Sequence, residues 1–154
     1  SAASDVYKRQ DSTMRIPIKT IRVSVGKAGT ETPTGTWTMH RAGRWQELMG
    51  PSWGQYGTHV VNGIFVHSVA CGQANSYNLP VGEYLRLGNP ASHGCIRACV
   101  ADAKWVWDNC NGSKIHIFDG TYTSNEALKG PLGRKALTPL RGSKNFDPTD
   151  PACK

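Results

Sequence analysis

Ser92-His93-Gly94-Cys95-Ile96-Arg97 is the stretch on which the reading of this chain turns. It follows a segment rich in breakers, among them Asn75, Asn78, Pro80 and Pro90. It precedes a run in which Ala103, Val106, Trp107 and Cys110 recur at helical spacing. A thiol at such a junction has the makings of a nucleophile. Only the thiolate attacks a carbonyl, and an imidazole within hydrogen-bond reach both lowers the thiol pKa and relays protons. Two histidines qualify: His93, in the same turn, and His67, upstream at the end of a strand. Gly94 lets the backbone turn tightly, so that successive amides can point at one oxyanion.

Outward from that turn, short extended segments dominate. Ile16, Ile18, Ile21, Val23 and Val25 alternate with polar residues in two phases offset around Thr20, which predicts a strand with a bulge there. Thr36 to Met39 is extended, and Val60-Val61 and Ile64 to His67 make two strands around Asn62-Gly63, a strong hairpin dipeptide. Trp45, Trp53 and Tyr56 among the glycines of residues 43–57 suit loops and short strands. Asn111-Gly112 stops the helix, and Ile115, Ile117 and Phe118 mark a last strand. The predicted fold is mainly β with one or two helices. Residues 1–10 have no periodicity and no apolar partner for Val6 and Tyr7. They resemble translated adapter sequence and are expected to be a non-native leader. Residues 11–120 form the expected catalytic domain. Residues 121–154, broken by Pro131, Pro139, Pro148 and Pro151, are expected to be an irregular tail packed on it.

A chain of 154 residues fits one domain, which buries roughly two thirds of its unfolded surface. Its 17 glycines and 9 prolines favour a turn-rich β-containing fold over a helical bundle. The net charge of +7 suits an acidic polymer. The basic residues are scattered and do not alternate with aromatic ones, which argues against nucleic acid. No apolar run approaches a membrane span, so no membrane contact is expected of this domain, and a monomer is.

Five cysteines make an odd count, and the odd one is expected to be the reactive one. Cys99 and Cys110 read as opposite ends of one helix, about 16 Å apart, beyond the reach of a bridge. Cys71–Cys99 with Cys110–Cys153, the crossed alternative, and four reduced thiols all stay open. A zinc site built from Cys95, Cys99, Cys110, His67 and His93 is disfavoured, because Cys-x3-Cys has no second close pair; no metal and no cofactor is expected. His40, His59 and His116 read as structural or surface residues.

Ser92-His93-Gly94-Cys95 with Ile96-Arg97 resembles the signature of L,D-transpeptidases of the YkuD type, and Phe65-Val66-His67-Ser68 resembles that family's upstream histidine segment. Thr32-Pro33-Thr34-Gly35 is similar to its early loop, and Asp102 with the following helix and the strand at Ile115 to Ile117 sits where the family has the same elements. The resemblance implies a YkuD-like β-sandwich or barrel, lacking its N-terminal strand here. It implies Cys95 as nucleophile, His67 as base and later acid, and the Ser68 carbonyl as the group orienting the His67 ring. His93 would either support the site from behind its reacting groups or act on the oxyanion side, with the amides of Gly94 and Cys95 holding the oxyanion. Arg97 would organise the site or face a substrate carboxylate, and Ser92, Gln55, Tyr56 and Tyr77, with Trp53, are candidates to line the groove, although aromatic residues in such a chain are more often core.

The implied substrate is the tetrapeptide stem of bacterial peptidoglycan, cut at its L–D amide with release of D-alanine and transfer to an amine of a second stem. Two alternatives stand beside this: an L,D-carboxypeptidase with water as acceptor, and a catalytically idle wall-binding module. The implied location is extracytoplasmic, in the cell wall or periplasm, with any export signal or anchor missing from this chain. The 24 residues between His67 and Ser92 exceed the usual family spacing and put the lid and substrate choice in question.

Overall fold

The computed structural model describes residues 3–8, 16–119, 135–142 and 145–153. Among these residues are ten strands and two helices, the mainly β outcome that the alternation predicts. β1 (Ala3–Lys8) pairs antiparallel with β2 (Ile16–Arg22). Val6 faces Lys19 while Tyr7 faces Pro17, so Ile18 is the extra residue. The irregularity thus falls beside Pro17, which has no N–H to give a ladder, and not at Thr20. Residues 3–8 also differ from their sequence reading, because they pair where no periodicity announced a strand. Ladder bonds are made by backbone groups that every sequence carries.

Next come β3 (Gly35–Thr38) and β4 (His40–Arg41), then the hairpin of β5 (Trp45–Leu48) and β6 (Ser52–Gln55). A second hairpin follows, of β7 (Thr58–Val61) and β8 (Ile64–Ser68). Asn62-Gly63 closes it as the sequence predicts, with Asn62 at φ 50°, a left-handed conformation that asparagine tolerates. Between β8 and β9 (Ile96–Ala98) the chain makes a long excursion carrying the short helix α1 (Val81–Leu85). An excursion of that length lets β9 return parallel to β8, which a tight turn cannot do. The four-stranded sheet has the order β4-β7-β8-β9, and Ser24, just past β2, exchanges both backbone hydrogen bonds with Arg97 at 2.8 Å.

Helix α2 (Val100–Asn109) runs between Cys99 and Cys110, which sit at its two ends as predicted. Its stop is Gly112, at φ 79°. β10 (Lys114–Ile117) then pairs antiparallel with β3. Val100, Ala103 and Val106 face Val60, Val66, Ile96 and Ala98 of the sheet, together with Ile21, Val23 and Met39. Burying such side chains stabilises the fold by about 1.5–3 kcal/mol each for the larger ones. A second cluster joins Val69, Leu79, Tyr84, Leu87 and Cys99, with Leu137 and Leu140 packed on it.

Residues 135–142 and 145–153 cross the domain without helix or strand. Asp147 Oδ2 accepts from Val100 N at 2.8 Å and Thr149 Oγ1 from Ala101 N at 3.0 Å. The first turn of α2 is therefore capped from this distant segment, its own flanking residue Cys99 supplying no side-chain cap. The portions of the predicted tail at 121–134, 143–144 and 154 lie outside the described residues.

Candidate active site

The parallel register of β8 and β9 creates the site. Val66 stands opposite Ile96 and His67 opposite Arg97. One step back, Cys95 falls opposite Phe65, on the same face as His67 because strand side chains alternate. Both side chains line one cavity of about 710 Å³, with His93 and Arg97 beside them. Its far wall is the tip of the β5–β6 hairpin, from Glu47 to Gly50 and Ser52, whereas only Ala70 comes from the start of the long excursion.

His67 is 1% exposed, and its Nδ1 lies 2.5 Å from the Ser68 carbonyl oxygen. A carbonyl only accepts, so Nδ1 carries the ring proton and Nε2 keeps its lone pair. Burial lowers the His67 pKa to about 4; the Ser68 carbonyl opposes this and the Arg97 charge adds to it. The ring is held from behind by Gly54 of β6, where a Cβ would fall 2.6 Å from Nδ1 and 2.8 Å from Cγ. A glycine inside a strand was the signal for this close approach, and the sequence reading passed over it.

The Cys95 sulfur lies 3.6 Å from the Gly63 carbonyl oxygen, to which the thiol donates. Burial pushes its pKa up, while the Phe65 N–H and the Arg97 charge pull it down. Thiol and imidazole therefore rest uncharged. The turn before Cys95 is tied at several points. Ser92 Oγ donates to the Cys95 carbonyl at 2.5 Å and accepts from Gly94 N at 3.1 Å, and Thr32 Oγ1 accepts from Gly26 N and donates to the Gly94 carbonyl at 2.7 Å. Gly94 has φ 122°, and a Cβ there would meet Ile64 Cδ1 at 2.8 Å.

The geometry redistributes the roles read from the sequence. The Gly94 amide, read as an oxyanion donor, is engaged by Ser92 Oγ, so Ser92 shapes the turn as well as lining the cavity. Gln55 is buried with its amide on Asp150 Oδ2 at 2.8 Å. Tyr56 belongs to the main core, edge-on to Trp107 at 5.6 Å. Tyr77 is exposed and packs on Phe146. None of the three lines the cavity, nor does Trp53. A polar or aromatic residue among glycines looks the same whether it faces a groove or a partner nearly a hundred positions away.

Arg97 gives one guanidinium N–H to Glu83 Oε2 at 2.8 Å, and Glu83 also pairs with Arg86 at 3.4 Å. These residues, with Lys27, His93 and Ala91, line a side chamber of about 380 Å³ that shares Arg97, His93 and Met49 with the main cavity. All five cysteines are free thiols, and among the described residues no three His, Cys, Asp or Glu side chains converge as metal ligands.

A cysteine and a carbonyl-oriented histidine share one sheet face, over a domain that is mainly β and carries one long helix, α2, among the described residues. The chain belongs to the L,D-transpeptidase catalytic domain family, YkuD, whose model matches residues 3–128. A putative L,D-transpeptidase, YciB, of Bacillus subtilis (strain 168) is 59% identical over 27 residues, 18% of this chain and 14% of that protein. An L,D-transpeptidase from Mycobacterium tuberculosis H37Rv shares the fold with a TM-score of 0.51 and 22% identity, covering 74% of this chain and 46% of that one. One from Mycobacterium smegmatis does so with a TM-score of 0.50 and 20% identity, covering 69% and 51%. The chain thus spans about half the length of these solved relatives and a seventh of the curated one.

Proposed function

We propose that this domain is a cysteine acyltransferase of the L,D-transpeptidase type, acting outside the cytoplasm on the tetrapeptide stems of peptidoglycan. One observation carries the reading: the β8–β9 register that puts Cys95 and His67 on one face of one cavity, with Nδ1–H committed to the Ser68 carbonyl and the Nε2 lone pair free. When the donor stem docks, the Cys95 thiol swings from the Gly63 carbonyl toward Nε2 and gives it the proton. The sulfur attacks the carbonyl of the L–D amide; a C–S bond forms, the C–N bond breaks, and D-alanine leaves with the proton from His67. An amine of a second stem then attacks the thioester, its proton passing through Nε2 back to the departing sulfur. The Cys95 amide is the first oxyanion donor, and the Gly94 amide joins it once the Ser92 hydroxyl turns away. The side chamber, with Lys27, Arg86 and Arg97 against the single acid Glu83, suits the carboxylate of the leaving residue.

Incubation with a tetrapeptide stem, followed by mass spectrometry, tests this. The expected result is an acyl adduct on Cys95 with release of D-alanine, absent in Cys95→Ala. His67→Ala is expected to lower turnover by about 10²- to 10⁴-fold, and His93→Ala to leave measurable activity. Full activity in the His67 variant would defeat the assignment. The product names the acceptor: a cross-linked dimer for an amine, a free tripeptide for water.

A further inference from the structure

Residues 145–153 lie beyond the 3–128 that the family model matches, yet Asp150 is linked to His67 through Gln55 and Ser68. Asp150, 3% exposed, accepts from Gln55 Nε2 at 2.8 Å. Gln55 donates its backbone N–H to Ser68 Oγ at 2.8 Å, and the carbonyl of that same Ser68 holds His67 Nδ1. Between Gln55 and Trp53, Gly54 lies flat against the His67 ring. Gln55 and Ser68 are themselves buried, so each link is shielded from competing water.

We propose that Asp150 is a positioning residue for His67, acting through Gln55 to hold β6 against the imidazole and Ser68 in place beside it. The proposal rests on the reading of His67 as the base. Gln55 Oε1 is buried and takes no hydrogen bond among the described residues, so its amide is anchored through Nε2 on Asp150. Without that carboxylate both ends of a buried amide lack partners, a state that favours its swing toward water and carries β6 with it. A displaced β6 opens the back of the His67 ring, and burial is the main cause of that ring's low pKa. The charged and titratable groups that share the ring's cavity are Arg97 of β9, Cys95 and His93 of the turn, and Glu47 of β5; Asp150 is not among them. Its influence on the ring is therefore transmitted by position.

The test uses the whole chain with ¹⁵N-labelled histidine, following the His67 ring by NMR across pH alongside the rate of Cys95 acylation by a tetrapeptide stem. Asp150→Ala is expected to move the His67 titration up toward the ordinary imidazole range, to blur its Nδ1–H tautomer, and to slow acylation about tenfold or more, with KM little changed. Asp150→Asn is expected to stay close to the parent, because its amide can donate to Gln55 Oε1 once the Gln55 amide turns over. If Asp150→Ala does not fold, Gln55→Met breaks the same link and is read the same way. A folded Asp150→Ala or Gln55→Met with unchanged titration and acylation overturns the proposal, as does Asp150→Asn behaving like Asp150→Ala. If Cys95 of the parent takes no acyl group at all, the transpeptidase reading fails, and the His67 titration still decides the role of Asp150.

Discussion

His67, the proposed base, sits in a place that resists charge. In the unfolded chain it takes a proton near the ordinary imidazole value of about 6.5, whereas in the folded chain it does so only at about 4. Between those values the unfolded state binds more protons, so stability falls as the pH drops from 6.5 toward 4 and the loss is complete below 4. The gap corresponds to about 3 kcal/mol. His67→Gln is expected to lose this contribution, so that urea unfolding at pH 7 and near pH 4.5 gives more similar stabilities in the variant than in the parent. Gly54→Ala, which puts a methyl 2.6 Å from Nδ1, must push the ring or the strand aside. A drop in acylation rate of about 10²-fold with the fold retained is expected, read by stopped-flow and circular dichroism. An unchanged rate would mean that the ring tolerates the shift.

Among the elements, α2 depends most visibly on distant help. Its first amides are held by Asp147 and Thr149, and Asp147→Ala is expected to cost about 1–2 kcal/mol in urea unfolding, in the range of a lost helix cap. Equal midpoints for parent and variant would contradict the cap. The elements legible in the sequence were those whose signals are local: the Asn62-Gly63 hairpin, the helical spacing of Ala103 and Val106, and the stop at Asn111-Gly112. Cys95 and His67 were legible for the same reason, each lying in a compact motif. The parallel pairing of β8 with β9, the return of β10 to β3 and the strand at Ala3–Lys8 were not, because backbone ladders between distant segments leave no mark on composition. Gln55 was misread on the same account, since nothing near it in sequence points to Asp150.

At the scale of the molecule, residues 135–142 and 145–153 act as a strap. Lys135 and Lys19 both meet the buried Asp102, at 2.5 and 2.9 Å, so β2 and the strap converge on one carboxylate of α2. Burial alone would raise the Asp102 pKa; hydrogen bonds from Lys135, Lys19 and the Cys99 thiol outweigh it and hold it down. The strap also covers the second apolar cluster with Leu137 and Leu140, and Tyr84 donates its hydroxyl to the Thr138 carbonyl at 2.8 Å. A chain ending at residue 134 is expected to unfold at a temperature at least 10 °C lower, a loss of more than about 2 kcal/mol for a domain of this size. Calorimetry of the two chains checks it; equal transitions would reduce the strap to a decoration. The four cysteines other than Cys95 are each buried at 7% exposure or less, while Met49 at the hairpin tip is 81% exposed and borders both cavities. A Met49→Cys chain with Cys95→Ser therefore offers one accessible sulfhydryl for a dye at the mouth of the site, and its fluorescence would report occupancy in a protein that cannot turn over.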